Sequence, residues 1–121
     1  MRPTVYIVDF DMAETPIGEL EQLILLAILR LGPEAYGVSI ARELEAQAGR
    51  RLSRSALYTS LERLEGKGFL RWKLEAGGPE RQGLPKRTYV VLPRGLAALR
   101  TSHRVLRRMW RGLEHILKEQ A

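Results

Sequence analysis

The fold is decided by residues 52–74, which read LSRSALYTSLERLEGKGFLRWKL. Three leucines recur at i, i+4 and i+7, the spacing that places side chains on one buried face of a helix. They are Leu57, Leu61 and Leu64. Ser53 precedes this stripe as a favoured N-cap residue, because its hydroxyl accepts from the free N–H groups of a first turn. The stretch therefore predicts a helix over 54–67, and its β-branched or alternating continuation predicts a strand over 69–74.

Two amphipathic helices are predicted on the amino-terminal side of this stretch. Apolar side chains recur at helical spacing over 17–31, and Gly32-Pro33 ends that run. A second helix is predicted over 37–48, with Gly49 in the position of the residue that follows a helix end.

On the carboxyl-terminal side, a second strand is predicted over 87–92 after a loop rich in glycine and proline. Pro93 suits the first turn of a last helix, which is predicted over 94–119. One stripe of that helix has an a/d heptad spacing, which predicts a homodimer seam. The seam residues are Leu96, Leu99, His103, Leu106, Trp110, Leu113 and Leu117. The alternative is that this stripe folds back on its own domain.

Three helices followed by a hairpin are the element order of a winged helix-turn-helix, whose third helix enters the DNA major groove. The predicted fold class is therefore mainly α with a small β-hairpin. Its parts are a winged helix-turn-helix domain over 17–93 and a long dimerisation helix over 94–121. Residues 1–16 are predicted to be a short strand or an arm, and Met12 is an alternative start.

The charge of the chain is segregated along the sequence. Residues 1–49 carry 3 basic and 8 acidic side chains, a net charge of −5. Residues 50–111 carry 16 basic and 4 acidic side chains, a net charge of +12. A basic half of this kind is typical of a protein that binds a polyanion, although a solvated basic face is the alternative reading.

The helical phase of the third helix indicates which residues meet DNA. An α-helix turns by 100° per residue, so if Leu57 points inward, Ser55 and Thr59 point nearly in the opposite direction. Their small hydroxyl groups allow close approach to base edges. Longer side chains around them reach phosphates, as does the basic loop of the hairpin. The predicted DNA-binding residues are Arg50, Arg51, Ser53, Arg54, Ser55, Tyr58, Thr59, Arg63, Arg81, Lys86 and Arg87.

An ordered set of short segments carries a resemblance to a known family. The segments are GELE at 18–21, AYGVSI at 35–40, LS at 52–53, ALY at 56–58, LERLE at 61–65, GFL at 68–70 and GLPKRTY at 83–89. Together they resemble the PadR family of transcriptional regulators over roughly residues 17–100. Two features depart from the family pattern: Pro93 replaces a usual capping threonine, and residues 1–16 have no counterpart.

The resemblance implies a bacterial repressor with a winged helix-turn-helix that dimerises through its C-terminal helix. It places the family's third-helix tyrosine at Tyr58 and its basic wing at Lys86 and Arg87. Some family members respond to drugs through aromatic pockets at the dimer interface, so Trp110 is a candidate wall for a small apolar or aromatic effector. The alternative role for Trp110 is a packed knob in the seam.

The predicted function is a sequence-specific transcriptional regulator, a repressor that binds double-stranded DNA at a near-palindromic operator as a homodimer. The alternative is a winged-helix module that binds an acidic protein surface. An enzyme is not expected, since the chain has no cysteine and only two histidines, His103 and His115, far from any carboxylate cluster. No cofactor or metal is expected, nor a membrane span, since the longest apolar run is too short. A cytoplasmic location is expected.

Overall fold

The computed structural model describes residues 17–118 and confirms the predicted fold class. Its helices are α1 (Glu19–Leu31), α2 (Gly37–Ala48), α3 (Arg54–Gly66) and α4 (Pro93–Trp110), and its strands are β1 (Leu70–Glu75) and β2 (Lys86–Val91). The elements up to β2 begin and end within two residues of their predicted bounds. The predicted arm and the alternative start at Met12 lie outside the described residues. Within the described range, no helix is long and apolar enough to cross a membrane.

The chain divides into two compact units. One is Gly18–Leu96, and the other contains the residues from Ala97 onward. The first unit contains α1, α2, α3 and the hairpin. Its helix starts are capped by nearby side chains: the Gly18 N–H donates to Glu21 at 3.3 Å, and the Tyr36 N–H donates to the Ser39 hydroxyl at 3.0 Å. These contacts satisfy N–H groups that have no partner inside a helix.

The leucine stripe of α3 is buried in the core, and this confirms the predicted buried face. Leu57, Leu61 and Leu64 are almost fully buried. The other buried apolar side chains of this unit come from every neighbouring element; among them are Ile24, Leu25, Ile28, Ile40, Leu44, Phe69, Leu70, Tyr89 and Val91. Because α1, α2 and the hairpin all contribute to this one cluster, α3 is anchored along a single face.

The hairpin is antiparallel, with Leu70 opposite Val91 and Glu75 opposite Lys86. An isolated β-bridge lies on the edge of β2 away from β1: Tyr36 pairs with Thr88, and the Tyr89 N–H donates to the Ala35 carbonyl at 2.8 Å. This bridge was not predicted. It ties the connection between α1 and α2 to the second wing strand.

The prediction that the last helix continues to Glu119 is wrong. Helix α4 ends at Trp110, and a 3₁₀ turn over Glu114–Lys118 follows it. The cause is Gly112, whose φ of +87° lies in the left-handed region that glycine adopts easily and that ends a helix. The predicted seam positions Leu113 and Leu117 therefore lie beyond the helix, and the heptad pattern has a continuous helical backbone only from Leu96 to Trp110.

Replacement of Leu61 by alanine tests the central position of the α3 stripe. Leu61 is 1% exposed, so Leu61→Ala removes buried methyl groups and leaves a cavity, at a cost of about 2–5 kcal/mol in the free energy of unfolding. Urea denaturation measures this difference. The matched control is Leu74→Ala, because Leu74 is 62% exposed and we expect a change of about 0.5 kcal/mol or less. Equal effects of the two substitutions contradict the described core.

Candidate nucleic-acid interface

The amino end of α3 is exposed and capped. Ser53 adopts an extended conformation, and its hydroxyl oxygen accepts from the Ala56 N–H at 3.0 Å, as the N-cap prediction requires. Ser55 and Thr59 are exposed, so the outward face follows from the burial of Leu57. The remaining free N–H groups and the helix dipole give this end a partial positive charge that favours phosphate.

The predicted arginines around α3 divide into paired and unpaired groups. The Arg50 guanidinium lies 3.2 Å from a Glu19 carboxylate oxygen, and the Arg51 guanidinium lies 3.0 Å from Glu45. Arg54 and Arg63 are exposed, and no carboxylate pairs with either among the residues that the structure describes. Arg54 and Arg63 are therefore the free cations of this helix, whereas the charges of Arg50 and Arg51 are partly neutralised within the chain.

Tyr58 lies half-buried against the start of α2. A Cβ atom placed on Gly37 would collide with the Tyr58 hydroxyl oxygen and lie 3.0 Å from its ring carbon Cζ. Glycine is thus required at position 37 for this close approach. The predicted contact of Tyr58 with a phosphate depends on this packing against Gly37, because it places the phenol group where α2, α3 and the wing meet.

The wing is the β1–β2 hairpin, and the loop between its strands, residues 76–85, is held in shape by Arg81. Its guanidinium donates to the Leu84 carbonyl at 3.2 Å and to the Pro85 carbonyl at 2.8 Å. These bonds satisfy two carbonyl groups of an otherwise irregular loop. Arg81 therefore braces the wing as well as adding charge to it, a role that its position in the sequence did not reveal.

The two basic residues at the start of β2 each contact an aromatic ring. The Lys86 ammonium lies 4.0 Å from the centroid of Tyr36, and the Arg87 guanidinium lies 4.0 Å from that of Trp72. Cation–π contacts of this length are favourable and restrict the side chain. Both cations are consequently positioned by the sheet instead of extending freely into solvent.

Trp72 connects the wing to α3. Its indole N–H donates to the Glu65 carboxylate at 3.1 Å, while its ring carries Arg87. The contacts of Trp72 fix the hairpin against the carboxyl end of α3.

Tyr89 is a buried residue of β2. Burial raises the pKa of its phenol above the usual value, although a hydrogen bond from Arg87 acts in the opposite direction. The Tyr89 phenol is therefore neutral at physiological pH.

One basic groove collects most of the predicted binding residues. Its two adjoining parts, of about 350 and 400 Å³, share Tyr58 and Arg81 in their walls. The predicted residues that line it are Arg51, Ser53, Arg54, Tyr58, Arg81, Lys86 and Arg87. Arg50, Ser55, Thr59 and Arg63 are not among its lining residues, and the last three lie on exposed parts of α3.

The groove also contains residues that were not predicted. Tyr36, Val38 and Arg42 line it from the α1–α2 connection and from α2. Val38 is an apolar side chain that is 43% exposed in this groove. The helical phase of α2, taken with Ile40 and Leu44 as inward residues, was the signal that places Arg42 outward.

The second unit, described by itself, contains most of the predicted dimer seam. Within α4, Leu99 is half-buried, whereas His103, Leu106 and Trp110 are exposed. Leu113 and Leu117 are exposed in the segment after Gly112. Nothing in the described residues gathers three or more histidine, aspartate or glutamate side chains into a metal-binding group.

The sequence and the fold are similar to those of known proteins. The family model described as "Transcriptional regulator PadR-like family" matches residues 25–101. No curated protein sequence matches the chain. A PadR family transcriptional regulator from Eggerthella lenta has a similar solved structure, with 24% identity, a TM-score of 0.58, and coverage of 93% of this chain and 91% of that one.

Two further solved structures have the same fold. A PadR-like transcription factor from Bacteroides fragilis is 24% identical, with a TM-score of 0.56 and coverage of 98% of this chain and 100% of that one. Bacillus subtilis PadR, solved in complex with operator DNA, is 23% identical with a TM-score of 0.55. It matches 68% of this chain and 46% of its own. At these identities the likeness establishes the fold alone.

A double-mutant cycle tests the contact between Gly37 and Tyr58. Gly37→Ala forces the phenol away from α2, and overpacking of this kind costs about 1–3 kcal/mol in the free energy of unfolding. In a Tyr58→Phe background the hydroxyl is absent, so the cost of Gly37→Ala is expected to fall. Gly66→Ala is the control, since a Cβ at Gly66 meets nothing within 4 Å. An unchanged cost in the Phe background contradicts the contact.

Proposed function

The chain belongs to the PadR-like family of transcriptional regulators, and we propose that it is a repressor that binds operator DNA through α3 and the wing. The observation that carries this proposal is the basic groove, in which the capped end of α3, Tyr58 and three wing cations share one surface. Bacillus subtilis PadR was solved with operator DNA, which supports the same partner for this chain. Binding of chromosomal DNA also implies the cytoplasm of a bacterium.

In this proposal the residues of the interface have separate roles. Ser55 and Thr59 meet base edges in the major groove, because their small hydroxyls can bond to either base type. Arg54, Arg63 and Tyr58 contact phosphates, which fix register but carry no sequence information. Lys86 and Arg87 contact the backbone beside the wing. The ring contacts of Lys86 and Arg87 favour binding, since these side chains lose less conformational freedom when they contact DNA.

The proposal includes a homodimer formed through the apolar stripe of α4. Leu106 and Trp110 are 53% and 38% exposed on that stripe, and a second copy is the simplest cover for a helix of heptad pattern. A two-fold dimer presents two α3 helices to half-sites about 10 bp apart or a multiple of that distance, hence a near-palindromic operator. The effector site at Trp110 stays a prediction that depends on this dimer.

Selection of bound sequences from a random pool of duplex DNA tests the proposed function. We expect enrichment of a motif with two related half-sites, and its spacing reports the arrangement of the dimer. The alternative, a module that binds an acidic protein surface, predicts no enriched motif and a partner that survives nuclease treatment in a pull-down. Absence of enrichment at low salt contradicts DNA recognition.

The salt dependence of DNA binding distinguishes free cations from paired ones. Arg54→Gln and Arg63→Gln each remove a phosphate contact, so each is expected to reduce the slope of log affinity against log salt by about 1. Arg50→Gln and Arg51→Gln are the matched controls. Their guanidinium groups already lie beside carboxylates, and we expect a clearly smaller change. Equal changes for all four substitutions contradict the assignment.

A further inference from the structure

A row of arginines lies on α4, within the second compact unit. The chain has no acidic residue between positions 81 and 113, a stretch that contains the whole of α4. Arg100, Arg104 and Arg107 recur there at i, i+4 and i+7, the spacing that places side chains on one helical face. Arg108 and Arg111 extend this row toward the carboxyl end. These five residues form the arginine stripe, and none of them takes part in the DNA contacts proposed above.

The arginine stripe borders an open groove of about 940 Å³ on the surface of this unit. All five arginines line the groove, together with His103, Trp110, Glu114 and Leu117. Each of the five is exposed, and within residues 17–118 none of them forms an ion pair with a carboxylate. The Glu114 carboxylate accepts from the Gly112 N–H at 2.9 Å. The positive charge of the groove is therefore not neutralised by the part of the chain that the structure describes.

This arrangement lowers the stability of the helix in the free chain. Like charges three or four residues apart on a helix repel each other, and Arg104 has such neighbours in Arg100, Arg107 and Arg108. The helix dipole favours cations in the last turn, which accounts for Arg107 and Arg108. Arg100 and Arg104 lie before that turn, so the dipole does not explain them. A polyanion bound along the stripe relieves the repulsion.

The geometry of the stripe favours the phosphates of a nucleic acid. At 1.5 Å per residue, the helical part from Arg100 to Arg108 is about 12 Å long. Successive phosphates of one DNA strand lie about 3.4 Å apart along the duplex axis, so this length spans about three or four of them. The stripe consists of arginine without lysine, and the planar guanidinium group pairs with two phosphate oxygens at once. The carboxylates of an acidic protein surface have no such regular spacing.

We propose that the arginine stripe of α4 binds the phosphate backbone of duplex DNA, as a second contact surface without sequence preference. Phosphate contacts carry no base information, so this surface adds affinity and salt dependence but does not select the operator. The stripe lies roughly 100° around the helix axis from the seam residues Leu99 and Leu106, so a dimer formed through the seam leaves it accessible. The inference deepens the proposed function and rests on duplex DNA as the partner of the chain.

Fluorescence anisotropy of a labelled duplex without the selected motif measures the contribution of the stripe in the full chain. The stripe variant carries three substitutions, Arg100→Gln, Arg104→Gln and Arg107→Gln. The control variant removes three positive charges outside the stripe and the basic groove, by Arg30→Gln, Arg71→Gln and Lys73→Gln. We expect the stripe variant to reduce the slope of log affinity against log salt by about 2–3, because three phosphate contacts are lost, and the control to change it by less than about 1.

Thermal stability and a conservative variant separate lost binding from lost folding. The Tm of the stripe variant is expected to stay the same or rise, because repulsive pairs are removed. Substitution of the same three arginines by lysine keeps the charges and is expected to keep the slope close to that of the unmodified chain. The proposal is overturned if the glutamine variant has the slope of the control, or if the lysine variant loses as much slope as the glutamine variant.

Two further measurements distinguish this surface from operator recognition and from an acidic partner. Random-pool selection with the stripe variant is expected to return the same motif as the unmodified chain. If neither chain returns a motif, the proposed regulator function fails, whereas an unchanged motif together with the slope of the control overturns the stripe alone. Fluorescent poly-glutamate is the probe for an acidic protein surface. Stripe-dependent binding of poly-glutamate, with duplex binding unchanged, assigns the stripe to an acidic protein and also overturns the proposal.

Discussion

Burial of the leucine stripe of α3 is the constraint on which the rest of the structure depends. Leu57, Leu61 and Leu64 are almost fully buried. When one face of a helix is buried, the residues on the opposite face necessarily point outward. Ser55 and Thr59 are exposed for that reason alone. The wing follows from the same anchor, since β1 begins four residues after α3 ends and Trp72 bonds back to Glu65 on that helix.

The net charge of the basic half says less about binding than the partners of its individual cations. Arg50 and Arg51 face carboxylates, Lys67 lies 2.9 Å from the partly buried Glu21, and Arg81 is bonded to loop carbonyl groups. Exposed ion pairs contribute little to stability, but they reduce the charge that is available to phosphates. The groove therefore depends on fewer free cations than the count of basic residues suggests.

The fold was predictable because its signals are local, whereas much of the site was not. Periodicity, the Ser53 cap and the glycine and proline residues predicted the bounds of α1, α2, α3, β1 and β2 within two residues. The helix end at Gly112 was missed because a heptad pattern was followed past a residue that favours positive φ. The bridge at Tyr36 and the packing of Tyr58 against Gly37 are contacts between segments that are distant in the sequence. Local sequence patterns do not predict contacts of this kind.

The central claim is that α3 and the wing form the DNA-binding surface. Amide hydrogen exchange, measured with and without a duplex obtained from the random-pool selection, tests this claim most directly. If α3 and the wing form the binding surface, DNA slows amide exchange in residues 50–59 and 76–87, because bound phosphates and bases cover their backbone. Exchange in α1 is expected to stay unchanged. Protection confined to residues 97–118, with unchanged exchange in 50–59 and 76–87, contradicts the account.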